Sequence, residues 1–173
     1  MKVFPKKVGL EKLRSIKDAF RDRIVREYEF KAKSCAACET PGACCLDAHF
    51  VNVHISGLEA IEIRDRLDGL PPKVLASVES RIEDAIENFN LSDEGDTFLR
   101  RYACPLFEPG IGCLVHEVKP AACIAHACYE REEDLPPDSL LDEVELKIDR
   151  LNDLTFGTNH RWLPIPVALT RVK

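Results

Sequence analysis

The sequence predicts a mainly α-helical protein, a single compact domain over residues 1–173 in which helices frame two irregular cysteine-rich loops, with room for one short strand pair. Three observations predict it. Apolar residues recur at spacings of three and four in four separate stretches, as on helices that bury one face. Prolines and glycines punctuate the segments between those stretches, as at Pro41-Gly42, Gly69, Pro105, Pro109, Gly110, Gly112, Pro120 and Pro136-Pro137. All eight cysteines lie in the two segments that lack the periodicity.

Composition sets the outer bounds. With 45% hydrophobic and 31% charged residues, 173 residues can bury a real core, which excludes disorder as the dominant state. No stretch reaches the roughly 18 apolar residues that span a bilayer, and Met1–Leu10 carries three lysines without an apolar leader core. The expectation is a cytoplasmic protein in a reducing compartment, where eight thiols call for metal more readily than for disulfides. The net charge of −6 is uneven: residues 1–33 hold 11 basic and 5 acidic side chains, and the rest 13 and 25. Signs alternate through Lys17, Asp18, Arg21, Asp22, Arg23, Arg26 and Glu27, so this face reads as solvated and internally paired. Nucleic acid is disfavoured as a partner, since no basic strands interleave with aromatics and no glycine-rich phosphate loop occurs.

The first helix is expected over residues 8–32, with Leu10, Leu13, Ile16, Phe20, Ile24 and Tyr28 on one stripe. Cys35–Ala48 contains Thr40-Pro41-Gly42 and reads as a loop. Val51, Val53 and Ile55 alternate with Asn52 and His54 as in a short strand. Ser56 and Glu59 have the spacing of a capping box, opening a helix with Leu58, Ile61, Ile63 and Leu67 that ends at Asp68-Gly69. A further helix over about 72–90 carries Leu75, Val78, Ile82, Ala85, Ile86 and Phe89. After the acidic turn Ser92–Asp96, the segment Cys104–Cys128 is broken by Pro105, Pro109, Gly110, Gly112 and Pro120. A last helix over 138–154 follows from Leu140, Leu141, Val144, Ile148 and Leu151, and Leu163-Pro164-Ile165-Pro166 implies an extended tail.

The cysteines form two groups, Cys35-x2-Cys38-x5-Cys44-Cys45 and Cys104-x8-Cys113-x9-Cys123-x4-Cys128, separated by a helical hairpin of about 50 residues. None sits on an apolar stripe, so buried structural thiols do not explain them, and a metal or cluster site drawing on the two loops does, within a core of about 35–128. Adjacent Cys44 and Cys45 fit one tetrahedral zinc poorly if the chain there is extended, because successive side chains then leave on opposite faces. An iron-sulfur cluster or other polynuclear site takes neighbouring thiols more easily, and a cysteine followed by proline, as in Cys104-Pro105, recurs in ferredoxin loops.

These motifs resemble the YkgJ-type cysteine-cluster proteins, a zinc- or iron-chelating family whose first motif reads C-x2-C-x2-C-C. The equivalents here are Cys35, Cys38, Cys44 and Cys45. The family's second region, Cys-Pro-Phe-Leu, a Cys with an aromatic-containing segment and then Arg-Pro-x2-Cys, is met by Cys104-Pro105-Leu106-Phe107, Cys113-Leu114-Val115-His116 and Lys119-Pro120-Ala121-Ala122-Cys123. The chain departs from the pattern in a longer spacing across Glu39–Ala43, in His116 for the usual tyrosine and in Lys119 for the usual arginine. The resemblance spans about residues 35–128 and implies a metal-chelating domain; the candidate ligands read from the two groups are all eight cysteines, Cys35, Cys38, Cys44, Cys45, Cys104, Cys113, Cys123 and Cys128. Related motifs in flagellin lysine methylases imply an iron-sulfur cluster used in methyl transfer to a protein lysine.

His116 and His126, inside the second cysteine region, are candidates to ligate or to orient a thiolate by hydrogen bonding, ahead of His49 and His54; His160 reads as a surface or packing residue. Arg100 and Arg101 stand close enough to Cys104 to offset thiolate charge, since four thiolates around a 2+ cubane (4Fe-4S) leave a net −2. No nucleophile elbow, zincin helix or dinucleotide fingerprint is present, so catalysis would have to come from the cluster. The expected function is a metal-binding protein holding an iron-sulfur cluster or Zn2+. The alternatives are a cluster-dependent enzyme acting on a protein substrate, and a structural zinc module that engages a protein partner through its basic first helix.

Overall fold

The computed structural model describes residues 4–33, 40–46, 51–158 and 160–172, and it is mainly helical, as the periodicity predicts. Among these, no helix is long and apolar enough to cross a membrane. The chain parts into two compact units: residues 1–41 with 119–160, and residues 42–118 with 161–173.

The first unit is built on α1 (Lys6–Glu27), α5 (Ala121–Ala125) and α6 (Asp138–Phe156), which pack on one another. Leu10, Leu13, Phe20 and Ile24 of α1 are buried, as are Leu140, Val144, Ile148 and Leu151 of α6, so both stripes read from the sequence are core faces. The first helix stops earlier than residue 32, because Tyr28 leaves helical geometry at φ −134° and Glu29–Lys31 form a separate 3-10 turn. Its exposed face is internally paired, Arg21 with Asp18 at 3.0 Å and Arg23 with Glu27 at 3.1 Å. Lys17 departs from that reading: it is only 2% exposed, lying one turn after Leu13 on the buried stripe. The Phe4 amide donates to Leu154 O at 2.7 Å, tying the start of α1 to α6.

In the second unit a short antiparallel pair, β1 (His54–Ile55) with β4 (Leu163–Pro164), feeds directly into two helices. Beyond β1, the capping box at Ser56 and Glu59 forms as predicted and starts α3 (Gly57–Asp68), which ends at Gly69. Then α4 (Pro72–Asn88) opens on a proline in its first turn and buries Val78, Ile82 and Ala85. Of the extended tail expected from Leu163–Pro166, Leu163–Pro164 is extended as β4, and Ile165–Pro166 instead start α7 (Ile165–Arg171), which packs on α3 and α4. Two prolines mislead there: Pro164 occupies the N-cap and Pro166 the first turn, where no amide is needed, and the apolar run Ile165–Leu169 is buried. Ile55, Ile63, Leu67, Val78, Ile82, Tyr102, Leu106, Val115 and Leu169 belong to one continuous core.

The expected strand at 51–55 shortens to two residues, and His54 is buried where alternation would expose it. Its ring stacks on Phe98 with centroids 3.9 Å apart, and Nε2 lies 2.9 Å from Thr97 Oγ1. Burial holds its pKa below the usual histidine value.

Candidate metal centre

The second unit brings Cys44, Cys45, Cys104 and Cys113 into one neighbourhood. Cys44 and Cys45 lie on α2 (Ala43–Leu46), one helical turn inside the segment read from the sequence as a loop. The turn is set by Gly42, whose φ of +83° is easy only for glycine and whose carbonyl accepts from the Cys45 and Leu46 amides at 2.8 and 3.0 Å. A Cβ on Gly42 would collide with the Phe107 ring, so the glycine also lets α2 approach the second cysteine segment. Because the chain is helical here, Cys44 and Cys45 do not leave on opposite faces, and their side chains are hydrogen-bonded to each other.

Cys104 and Cys113 are presented by a hairpin, β2 (Phe107–Glu108) and β3 (Gly112–Cys113), in the register Phe107 to Cys113 and Glu108 to Gly112. The Cys104 amide donates to Cys45 O at 2.6 Å, joining the hairpin's approach strand to α2. Two residues earlier, Tyr102 is fully buried; its amide donates to Val51 O at 3.0 Å, and its hydroxyl donates to Val53 O while accepting from the Ile165 amide. Pro105 turns the chain so that the Leu106 and Phe107 amides both hydrogen-bond the Cys104 side chain, which favours its thiolate form.

The electrostatics of the group follow from crowding. Burial, then the neighbouring Cys104, Cys44 and Cys113, pushes the Cys45 thiol well above the ordinary cysteine range. Burial likewise raises Cys104, to about 12, against the pull of the two amides and of the Arg81 guanidinium. Arg81 reaches the turn from α4: its Nε donates to Pro105 O at 2.9 Å, and its Nη1 pairs with Glu108 at 2.9 Å.

None of the six described cysteines forms a disulfide. The donor chemistry, soft sulfurs that raise one another's pKa, fits a thiophilic cation. The shell is not ready-made, since among the described residues no group of three or more His, Cys, Asp or Glu is placed to hold an ion. In the first unit, Cys123 lies in α5, and Cys128 offers its carbonyl to the Lys33 amide at 2.9 Å. Cys35, Cys38 and His49 lie outside the described residues.

The histidines separate. His116 is exposed in the 3-10 turn His116–Val118 of the second unit. His126 caps α5 in the first, where desolvation and then the Lys119 ammonium lower its pKa. His160 packs its ring at 4.7 Å from Phe156. The cation felt at Cys104 is Arg81, a residue that reads in the sequence as an ordinary solvated helix position beside Ile82. Gly42 reads in the sequence only as part of a turn and Phe107 only as part of a motif, since their contact, like the bonds of Tyr102, comes from approach between distant segments. Compared with family models, with curated proteins and with solved structures, the chain matches none, so the resemblance to cysteine-cluster proteins rests on its own motifs.

Proposed function

We propose that the chain is a cysteine metal-binding protein in which Cys45, Cys104 and Cys113, with Cys44 beside them, hold an iron-sulfur cluster or zinc. The observation that carries this reading is the meeting of Cys44, Cys45, Cys104 and Cys113 where α2 joins the cysteine hairpin, the Cys104 amide donating to Cys45 O at 2.6 Å, with the Leu106 and Phe107 amides favouring the Cys104 thiolate. Amide donors stabilise a sulfur that carries negative charge, and so serve a metal-bound thiolate better than a neutral thiol. Soft sulfurs gathered in this way suit a thiophilic cation, which would stabilise the thiolate forms that burial and mutual repulsion otherwise disfavour. When bound, the metal supplies that positive charge. Since no metal shell is preformed among the described residues, binding and local ordering are coupled, and affinity falls in acid as protons compete for sulfur. Anaerobic purification followed by iron, zinc and acid-labile sulfide analysis tests the reading. Bound metal in the wild-type chain that is lost in a Cys104→Ser/Cys113→Ser variant is expected; a chain that carries and takes up neither metal contradicts it. Iron with sulfide directs further work to cluster chemistry, and zinc without sulfide to a structural or partner-binding role.

A further inference from the structure

We infer that Arg81 is a positioning residue for the proposed metal centre: from α4 it fastens both ends of the Pro105–Glu108 segment and places a positive charge beside the cysteine thiolates. The inference rests on the metal-binding reading above. Arg81 adjoins the buried positions Val78 and Ile82, and its side chain is 27% exposed. Nε donates to Pro105 O at 2.9 Å, while Nη1 reaches Glu108 Oε2 and Ser77 Oγ, each at 2.9 Å. Pro105 has no amide, so its carbonyl is the one main-chain group by which that residue can be held. Glu108 lies on β2, opposite Gly112 and next to the Phe107 that faces Cys113. Leu106 and Phe107, the residues whose amides meet the Cys104 side chain, are thus bracketed by two attachments to one guanidinium.

The planar fork matters as well as the charge. An ammonium could pair with Glu108 or meet Pro105 O, but its point charge does not reproduce two fixed N–H directions. Arg81 Nη2 is buried and has no hydrogen-bond partner among the described residues, a cost that a negative metal-thiolate group nearby would offset. Arg81 therefore acts through the turn and through its field, without touching the metal.

The test uses the full, reduced chain and zinc as the probe, titrated in competition with a chromophoric chelator, alongside thermal unfolding of the metal-free proteins. Arg81→Met is expected to weaken zinc binding by about tenfold or more, the scale of losing an outer hydrogen-bonding partner of a metal ligand, and Arg81→Lys to fall between it and wild type. Affinity of Arg81→Met within about twofold of wild type overturns the inference. If Arg81→Met does not fold, Arg81→Lys decides alone: a several-fold loss supports the role and wild-type affinity rejects it. Failure of the underlying reading looks different, because then the wild type binds no zinc, or Cys104→Ser/Cys113→Ser binds it as tightly as wild type.

Discussion

Within the second unit, the α3–α4–α7 core and the Cys104–Val118 segment are organised by different physics. In the core, order comes from area: Ile63, Leu67, Val78 and Leu169 are essentially inaccessible, and each removes a whole side chain from water. The cysteine segment has two such anchors, Leu106 and Val115, and two-residue strands; at its tip Ile111 is 75% exposed. What fixes it instead is a handful of directional contacts, through Tyr102, Arg81 and the Cys104 amide. A region held by few bonds over little apolar area gains most from an added ligand, and Cys104 and Cys113 lie in it.

The sharpest contrast comes from cutting the core. Ile63→Ala should cost about 2–5 kcal/mol of stability in denaturant unfolding, the range for emptying a buried aliphatic site, and should do so whether or not zinc is present. A loss confined to the metal-free protein would break the comparison. Tyr102→Phe should cost less, about 0.5–1.5 kcal/mol, by removing the hydroxyl's bonds to Val53 O and the Ile165 amide, which keep their 3.2 Å bond to each other. Since Tyr102 joins the core to the cysteine segment, the same variant should also weaken zinc binding, which Ile63→Ala should do far less. The smallest effect is expected from acid. Buried His54 has a folded pKa below its unfolded value, so the unfolded chain takes up the proton first as pH falls through the usual histidine range. Stability from this residue is present above that range and is lost on acidification below it. His54→Gln should flatten the slope of midpoint against pH between about pH 7 and 5, the window around an ordinary histidine pKa. An unchanged slope would remove His54 from the account.

The same division explains what the sequence made legible. Apolar spacing placed α1, α3, α4 and α6, and Ser56 with Glu59 marked a helix start, because each signal acts within a few residues of itself. Pro164 and Pro166 hid α7, since the same residue that ends helices also begins them. The cysteines announced themselves by number and spacing. Their surroundings did not: Arg81 lies 24 residues from Pro105, and Gly42 meets Phe107 across the intervening helices. Contacts of that kind depend on how α4 docks, which no local pattern encodes.

The most direct test of the central claim is amide hydrogen exchange on the reduced chain, with and without zinc, resolved by segment. Binding should slow exchange across Cys104–Val118 and at Ala43–Leu46 while leaving the α3–α4 hairpin nearly unchanged. Equal exchange in both states across the cysteine segment, in a protein that has taken up the metal, would contradict the claim that metal organises this region.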